Sequence, residues 1–163
     1  MKNKKLIGII IAAILIIAVA VMAIVLISGG AKNPEDSLNA MVTALNELDF
    51  NGYVNTLHPA LRADARKGMT AGKEISYMHA LRSGLLEGYP EGSSIRLTLW
   101  EDYDLDSGSI VSIENEYKQL GYNINITDAR MYYYYSVILP DGQPEGLDSI
   151  TVVKSGGKWY LLA

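Results

Sequence analysis

An uninterrupted apolar run near the N-terminus constrains this chain more than any other feature. From Leu6 to Ile27, 22 residues follow one another without a charged or strongly polar side chain. At about 1.5 Å of rise per residue, a helix of this length extends roughly 33 Å, enough to cross a hydrocarbon core of about 30 Å. Because the backbone in lipid must satisfy its own hydrogen bonds, the many β-branched residues do not prevent a helix. The sequence therefore predicts one transmembrane helix at residues 6–28.

Lysines flank this run mainly on its N-terminal side. Lys2, Lys4 and Lys5 precede it, whereas only Lys32 follows it closely. Positively charged residues stay on the cytoplasmic side of a membrane helix. The chain is therefore predicted to lie in the cell membrane as a single-pass protein, with a cytoplasmic N-terminus and an extracytoplasmic C-terminal domain.

Three further segments follow from this topology: a cytoplasmic segment at 1–5, a flexible linker at 29–33 and an extracytoplasmic domain at 34–163. A cleaved secretory signal is the alternative to a retained anchor. Its apolar region usually has about 7–15 residues, which is shorter than this run, and residues 28–31 make a weak cleavage site. The lipid bilayer is thus the first predicted partner.

The part of the chain beyond the apolar run is acidic and has no cysteine. Removing the three N-terminal lysines from the 14 basic side chains leaves 11, against 18 acidic ones, a net charge of −7 for residues 32–163. Nucleic acid is not a predicted partner, because its recognition needs clustered positive charge. Without cysteine, disulfides and thiolate metal sites are excluded. The roughly 130 remaining residues have the size of one domain.

The first half of this domain has helical periodicity. A helix is predicted to begin at Pro34, where acidic residues complement the helix dipole, and its apolar face comprises Leu38, Met41, Val42, Leu45 and Leu48. A second short helix ends before Pro59, since the residue preceding proline disfavours helical geometry. Residues 61–69 form a helical turn or two. A further helix from Lys73 to Glu87 has as its predicted inward residues Ile75, Met78 and Leu81 or Leu85.

From Ser94 onward the apolar residues recur mainly with a period of two. Ser94–Trp100 is predicted to be a half-buried strand whose apolar side is formed by Ile95, Leu97 and Leu99. Asp106 or Ser107 caps a helix that carries Ile110, Ile113, Tyr117 and Leu120. Three more strands, joined by hairpins at 140–146 and 155–157, make the sheet antiparallel. The fold class is therefore α+β, with helices packed on one face of a curved antiparallel sheet.

The extended segment Ile124–Leu139 contains four consecutive tyrosines. Alternation places Tyr133 and Tyr135 on one face together with Ala129, Met131, Val137 and Leu139. This odd-numbered set is predicted to be the buried face. Core packing is the first interpretation of Tyr133 and Tyr135, and they are also the candidate ligand-binding residues, since a curved sheet beneath helices can hold a pocket.

Two strings resemble the nuclear-transport-factor-two-like superfamily, which has a cystatin-like cone fold. One is Pro34–Leu38, which opens a helix that ends in Leu-Asn-Glu-Leu-Asp-Phe, and the other is the closing hairpin Val152–Leu161. The resemblance covers most of residues 34–163 and is closest to small extracytoplasmic domains attached to one transmembrane helix in Gram-positive bacteria. It implies a cone-like fold and an extracytoplasmic location, but no single activity, because such folds host enzymes as well as binding modules.

An acidic string at Asp102–Glu114 is partly similar to a calcium-binding loop. Asp102, Asp104 and Asp106 stand at alternate positions and a glycine follows. Calcium loops have their glycine at the sixth position and a bidentate glutamate at the twelfth, whereas Ser107 moves both one place late here. The simpler interpretation is a strand-to-helix loop with a helix cap. No metal site is predicted, and calcium binding is kept as an alternative.

No catalytic constellation is recognisable, so the chain is predicted not to be an enzyme and to need no cofactor. His58 and His79 are the only histidines, and neither has a partner at a spacing typical of a metal site or a catalytic dyad. The preferred function is a non-catalytic domain that binds an envelope protein or a small ligand. An isomerase or dehydratase that uses the cone pocket is the alternative, with Tyr133 or Tyr135 as hydrogen-bond donor.

Overall fold

The computed structural model describes residues 29–162, in which helices precede most of the strands. In chain order the elements are α1 (Pro34–Glu47), α2 (Phe50–Thr56), a 3₁₀ turn (Pro59–Leu61), α3 (Arg62–Ala65), α4 (Ala71–Leu86), β1 (Ser94–Asp104), α5 (Ser107–Gln119), β2 (Asp128–Ile138), β3 (Pro144–Ser155) and β4 (Lys158–Leu162). The α+β class is confirmed. The predicted transmembrane helix lies outside the described residues, and no helix within 29–162 is long and apolar enough to cross a membrane.

The start and end of α1 follow from its sequence. Pro34 occupies the first turn, where a missing N–H costs nothing, and Glu35 and Asp36 lie near the positive end of the helix dipole. Leu45 is buried on the apolar face. Leu48 ends the helix in the left-handed conformation, at a φ of 57°, and its N–H donates a hydrogen bond to the Ala44 carbonyl.

The four strands form one antiparallel sheet in the order β1-β2-β3-β4. The predicted hairpins are therefore confirmed. Pairing between β2 and β3 is continuous, from Asp128 opposite Lys154 to Ile138 opposite Pro144. Strand β1 is an edge strand, and its pairing with β2 shifts twice, between Ile95 and Thr98 and between Leu99 and Glu101. Each shift places one additional β1 residue against β2, which makes a β-bulge.

Two hydrophobic clusters hold the helices to the sheet and to one another. The larger joins α1 to the sheet through buried residues that include Leu38, Tyr132 and Leu161. The smaller joins α1, α2 and α4 through Leu45, Phe50, Val54 and Met78. Helix α5 packs against the larger cluster through Ile110, Ile113 and Tyr117.

The predicted inward face of α4 is only partly correct. Met78 is fully buried, and Leu81 and Leu85 pack against the smaller cluster. Ile75, however, is 55% exposed. At 3.6 residues per turn, Leu81 and Leu85 lie on one side of Met78 around the helix and Ile75 lies on the other. The buried stripe is therefore centred away from Ile75.

The other edge of the sheet, along β4, is covered by two segments of the same chain. The backbone groups of Ala31 and Trp159 exchange two hydrogen bonds of 2.9 Å, and the His58 N–H donates one of 3.0 Å to the Leu161 carbonyl. The Gly30 N–H donates a further bond to the Asn55 carbonyl. The predicted linker at 29–33 is thus hydrogen-bonded to the domain instead of being a free tether.

Candidate binding surface

The continuous β2–β3 register sorts side chains onto two faces of the sheet. Even-numbered residues of β2 face α1, because the Tyr132 hydroxyl donates a 2.8 Å hydrogen bond to Glu35 Oε1 and Tyr134 lines a cavity beneath this helix. Side chains alternate along a strand, so odd-numbered residues point the other way. There Tyr133 contacts aromatic residues of β1. The sheet has an inner face toward α1 and an outer face away from it.

The predicted buried face of β2 is wrong over the middle of the strand. Ala129 and Val137 are buried as expected, but the buried residues between them are the even-numbered Tyr132 and Tyr134. Three odd-numbered residues are partly exposed, namely Met131, Tyr133 and Tyr135. Both parities carry large apolar side chains, so alternation alone does not tell which set the helix covers.

Two cavities of about 190 Å³ each lie between the helices and the inner face. They share Leu97 and Tyr134 as lining residues, and the first also contacts Glu35 and Leu99. Leu99, predicted to be buried, is 53% exposed because it lies on the edge strand at the rim of this cavity. The second cavity is mostly apolar and is lined by Met41, Val42, Leu45, Tyr53, Leu81, Leu85, Ile95, Leu97, Tyr134 and Ser136.

These cavities offer little chemistry for an acid–base reaction. Burial raises the pKa of Tyr134 to about 12 and also raises that of Tyr53, so both hydroxyls stay protonated at neutral pH. Glu35 is the carboxylate among the described lining residues, but its side chain is 52% exposed and it already accepts the Tyr132 hydrogen bond. Each cavity is also smaller than the roughly 300–1,000 Å³ that is typical of ligand pockets.

A cluster of charges lies beside Glu35 at the edge of the inner face. The Arg130 guanidinium is 2.8 Å from Asp104, 3.2 Å from Asp102 and 3.8 Å from Glu35. All four side chains are partly exposed, so each pair contributes little to stability. Three carboxylates against one guanidinium leave a local net charge of −2.

The acidic string at Asp102–Glu114 is divided among separate structural roles. Asp102 and Asp104 pair with Arg130, whereas Asp106 Oδ1 accepts a 2.7 Å hydrogen bond from the Ser109 N–H and caps α5. Glu114 accepts a bond from the Ile126 N–H. The predicted helix cap is therefore confirmed. Within residues 29–162, no three carboxylate or imidazole groups are placed to hold a metal ion, so the calcium alternative has no support in this geometry.

An exposed aromatic surface occupies the outer face of the sheet. The Tyr133 ring lies 6.2 Å from Trp100 at an interplanar angle of 79°, and 6.1 Å from Tyr103 at 33°. Tyr135 lies on the same face opposite Leu147 of β3. Trp100, Tyr103 and Leu147 are 56%, 44% and 51% exposed. We call these five residues the outer aromatic surface.

The candidate ligand-binding residues Tyr133 and Tyr135 belong to this surface and not to the cavities beneath the helices. Their role in binding stays a prediction, but its place moves to the opposite face of the sheet. Sequence reasoning did not select Trp100, Tyr103 or Leu147. One signal was available in the sequence: Trp100 stands at a position of β1 where the alternation otherwise places polar side chains. A large apolar side chain at such a position is predicted to lie on the solvent side of the strand.

His58 has a structural role as a cap. Its Nδ1 accepts a 3.2 Å hydrogen bond from the Ala60 N–H at the start of the 3₁₀ turn, and its ring meets Tyr160 edge-on at 5.5 Å. Its Nε2 is buried without a hydrogen-bond partner among residues 29–162. Burial lowers the pKa of His58, and the nearby positive charge of Arg62 lowers it further. His79 is exposed on α4.

No protein-family model matches the chain, and no curated protein is significantly similar to it. The resemblance to the nuclear-transport-factor-two-like superfamily accordingly stays a prediction that rests on its two sequence strings.

Proposed function

We propose that this chain is a membrane-anchored, non-catalytic binding module of the cell envelope. In this proposal residues 6–28 cross the bilayer, the cone-like domain lies outside the cytoplasm, and the outer aromatic surface binds a partner protein. The anchor is supported by the 22 apolar residues and their N-terminal lysines. The cone-like curvature is supported by the family resemblance and by helices on the inner face of the sheet.

The observation that carries the binding proposal is the exposure of the aromatic cluster. Trp100 and Tyr103 expose 56% and 44% of their surface, although large aromatic side chains are mostly buried in folded proteins. Contiguous exposed apolar patches mark interaction sites. Trp and Tyr are also the side chains that dominate binding energy at interfaces, because they combine a large apolar area with a polar group.

A non-catalytic role fits the cavities better than an enzymatic one. A general base must lie within hydrogen-bond reach of a substrate proton, and the described cavity lining has no imidazole and a single carboxylate, Glu35. That carboxylate is half exposed and bonded to Tyr132. The residues that line the cavities therefore fit a structural role, which is the packing of the helices on the sheet.

Photo-cross-linking in intact cells tests the binding role. A photoreactive phenylalanine analogue at Trp100 or Tyr135 is expected to give a discrete cross-linked adduct with one protein. The matched control places the analogue at Val111, which is 53% exposed on α5 and lies outside the surface. Adducts of the same kind and amount from all three positions, or none from Trp100 and Tyr135, would contradict the proposal.

A further inference from the structure

We infer that the partner presents a basic segment, with arginine or lysine side chains, to the outer aromatic surface. This inference rests on the proposed function and specifies the chemistry of its partner. It follows from two independent properties of the surface, its charge and the geometry of its rings.

The charge of the outer face is negative. The strand register and the ring contact between Trp100 and Tyr133 place on this face four residues of β1, three of β2 and four of β3 around the aromatic cluster. Of these eleven, Glu101 and Glu145 are acidic; the positions are 98, 100, 101, 103, 131, 133, 135, 145, 147, 149 and 151. Arg96, which alternates with the cavity-lining Ile95 and Leu97, adds one basic side chain beside them, so the face has a net charge of −1. Interaction with the Tyr133 hydroxyl, and to a smaller extent the Glu101 carboxylate, raises the pKa of Tyr103. Glu101 lies opposite Tyr133 in the strand register and is therefore close to the rings.

The negative potential extends beyond the surface. On the opposite, inner face the Arg130 cluster has a net charge of −2, and residues 32–163 carry −7. Potentials at interfaces are complementary. An acidic partner, an anionic lipid surface or nucleic acid would be repelled, and a second copy of this acidic face would be repelled as well.

The rings of the surface can bind cations. Lysine and arginine groups are attracted to the faces of Trp and Tyr within about 6 Å of the ring centroid. The domain uses this contact in its interior, where Lys154 lies 5.6 Å from the Trp159 ring and Arg62 lies 5.5 Å from the Tyr160 ring. Neither of these pairs involves Trp100, the most exposed ring of the outer surface. A basic segment from a partner would supply the missing cation.

Peptide titration of the full chain in uncharged detergent micelles tests the inference. The probes are a short Arg-Gly repeat, a Gln-Gly repeat and a Glu-Gly repeat of the same length, together with a neutral chitin oligosaccharide. The Arg-Gly repeat is expected to bind and to change the fluorescence of Trp100, and binding should weaken with added salt. Trp100→Ala is expected to weaken it about 2- to 30-fold, the range of a single cation–π contact.

Two variants and one quenching measurement separate surface binding from other effects. Glu101→Gln, which keeps size but removes the charge, should also weaken binding, whereas Leu120→Ala on the distant end of α5 should not. Relative to free N-acetyltryptophanamide, caesium should quench Trp100 more strongly than iodide does, because the local potential is negative. Equal relative quenching by the two ions would overturn the charge argument.

The remaining outcomes distinguish the inference from the proposed function. Equal binding of the Arg-Gly and Gln-Gly repeats, binding of the oligosaccharide alone, or no binding of the Arg-Gly repeat would overturn the basic-segment inference. The proposed function would still stand if Trp100 cross-links to a protein in cells. Loss of both the peptide binding and the cellular adduct would overturn both.

Discussion

At the scale of single residues, the four consecutive tyrosines of β2 occupy four different environments. Tyr132 is buried and bonded to Glu35, and Tyr134 is buried in the wall of both cavities. Tyr133 stacks in the outer aromatic surface and Tyr135 lies beside Leu147. Identical side chains thus differ in burial and in their contacts because neighbouring positions of one strand face opposite sides of the sheet.

The buried hydroxyl of Tyr134 leads us to predict a loss of stability at high pH. Its pKa is raised from 10.0 to about 12, first by burial and next by Asp148. Its contribution to stability is present below pH 10 and is lost as pH rises toward 12, because the unfolded chain ionises first. We expect a loss of about 1–2 kcal/mol in the free energy of unfolding over this window.

Urea unfolding at several pH values checks this prediction, with Tyr134→Phe as the matched variant. The phenylalanine variant should lose less stability between pH 10 and pH 12 than the wild type, because it has no hydroxyl to ionise. The same loss in both proteins would mean that other groups cause the alkaline destabilisation.

The cap of α5 gives a second residue-scale prediction. Asp106→Ala removes the acceptor of the Ser109 N–H and should lower the thermal midpoint by roughly 2–5 °C. Asp106→Asn should retain most of it, because asparagine is an equally good cap. Asp104→Ala, which removes only an exposed ion pair, is the comparison and should have a smaller effect. Equal effects of the two alanine variants, present only with added calcium, would revive the calcium alternative.

At the scale of elements, the segment that leads into the domain is hydrogen-bonded to the edge of the sheet. Residues 29–31 lie along β4 and pass close to the Asn55 carbonyl of α2 and the Tyr160 ring of β4. The Lys158 ammonium donates to the Gly29 carbonyl over 3.2 Å. Gly30 has a φ of 73°, and a β-carbon there would collide with the Tyr160 ring. This position therefore needs glycine for two reasons, its backbone conformation and the close approach of the ring.

Substitution of two glycines separates these reasons. Gly68 has the same φ of 73° but open space around it. Gly68→Ala should cost about 1 kcal/mol from backbone strain alone, and Gly30→Ala should cost at least about 1 kcal/mol more from the collision. Chemical unfolding followed by near-ultraviolet circular dichroism measures both. Equal costs would show that the Tyr160 ring moves aside freely.

The elements that the sequence predicted well are those with local signals. Pro34 and the acidic residues after it place the start of α1, and Asp106 places the start of α5. The orientation of β2 was not predictable in this way, because tyrosine occurs in both parities and the position of α1 decides between them. Ile75 was misplaced for a related reason, since α4 has apolar residues on several sides and its buried stripe depends on where α2 packs.

At the scale of the whole molecule, only part of the candidate surface could be predicted from the sequence. Tyr133 and Tyr135 were selected from alternation, but as pocket residues. Their true neighbours Trp100 and Tyr103 come from β1, and contact between the strands depends on a register that two bulges shift. Non-local pairing of this kind leaves no local signal in the sequence.

Topology is the prediction that belongs to this scale. With the N-terminus in the cytoplasm and the domain outside, protease added to intact cells should digest residues 34–163. Permeabilised cells serve as the control for access. Protection of the domain in intact cells, together with digestion after permeabilisation, would reverse the proposed orientation.

The two bulges of β1 have a consequence for copies that share one membrane. An edge strand exposes unpaired N–H and C=O groups that can add a strand from another molecule. In the proposed topology, anchored chains held in one layer would meet each other edge to edge and would be able to polymerise in the plane of the bilayer. The bulges at Ile95–Thr98 and Leu99–Glu101 break the regular spacing of these groups, and the carboxylates of Asp102 and Asp104 repel a like strand. In that topology, the edge that would propagate a lateral filament is therefore interrupted by the bulges and carboxylates of β1.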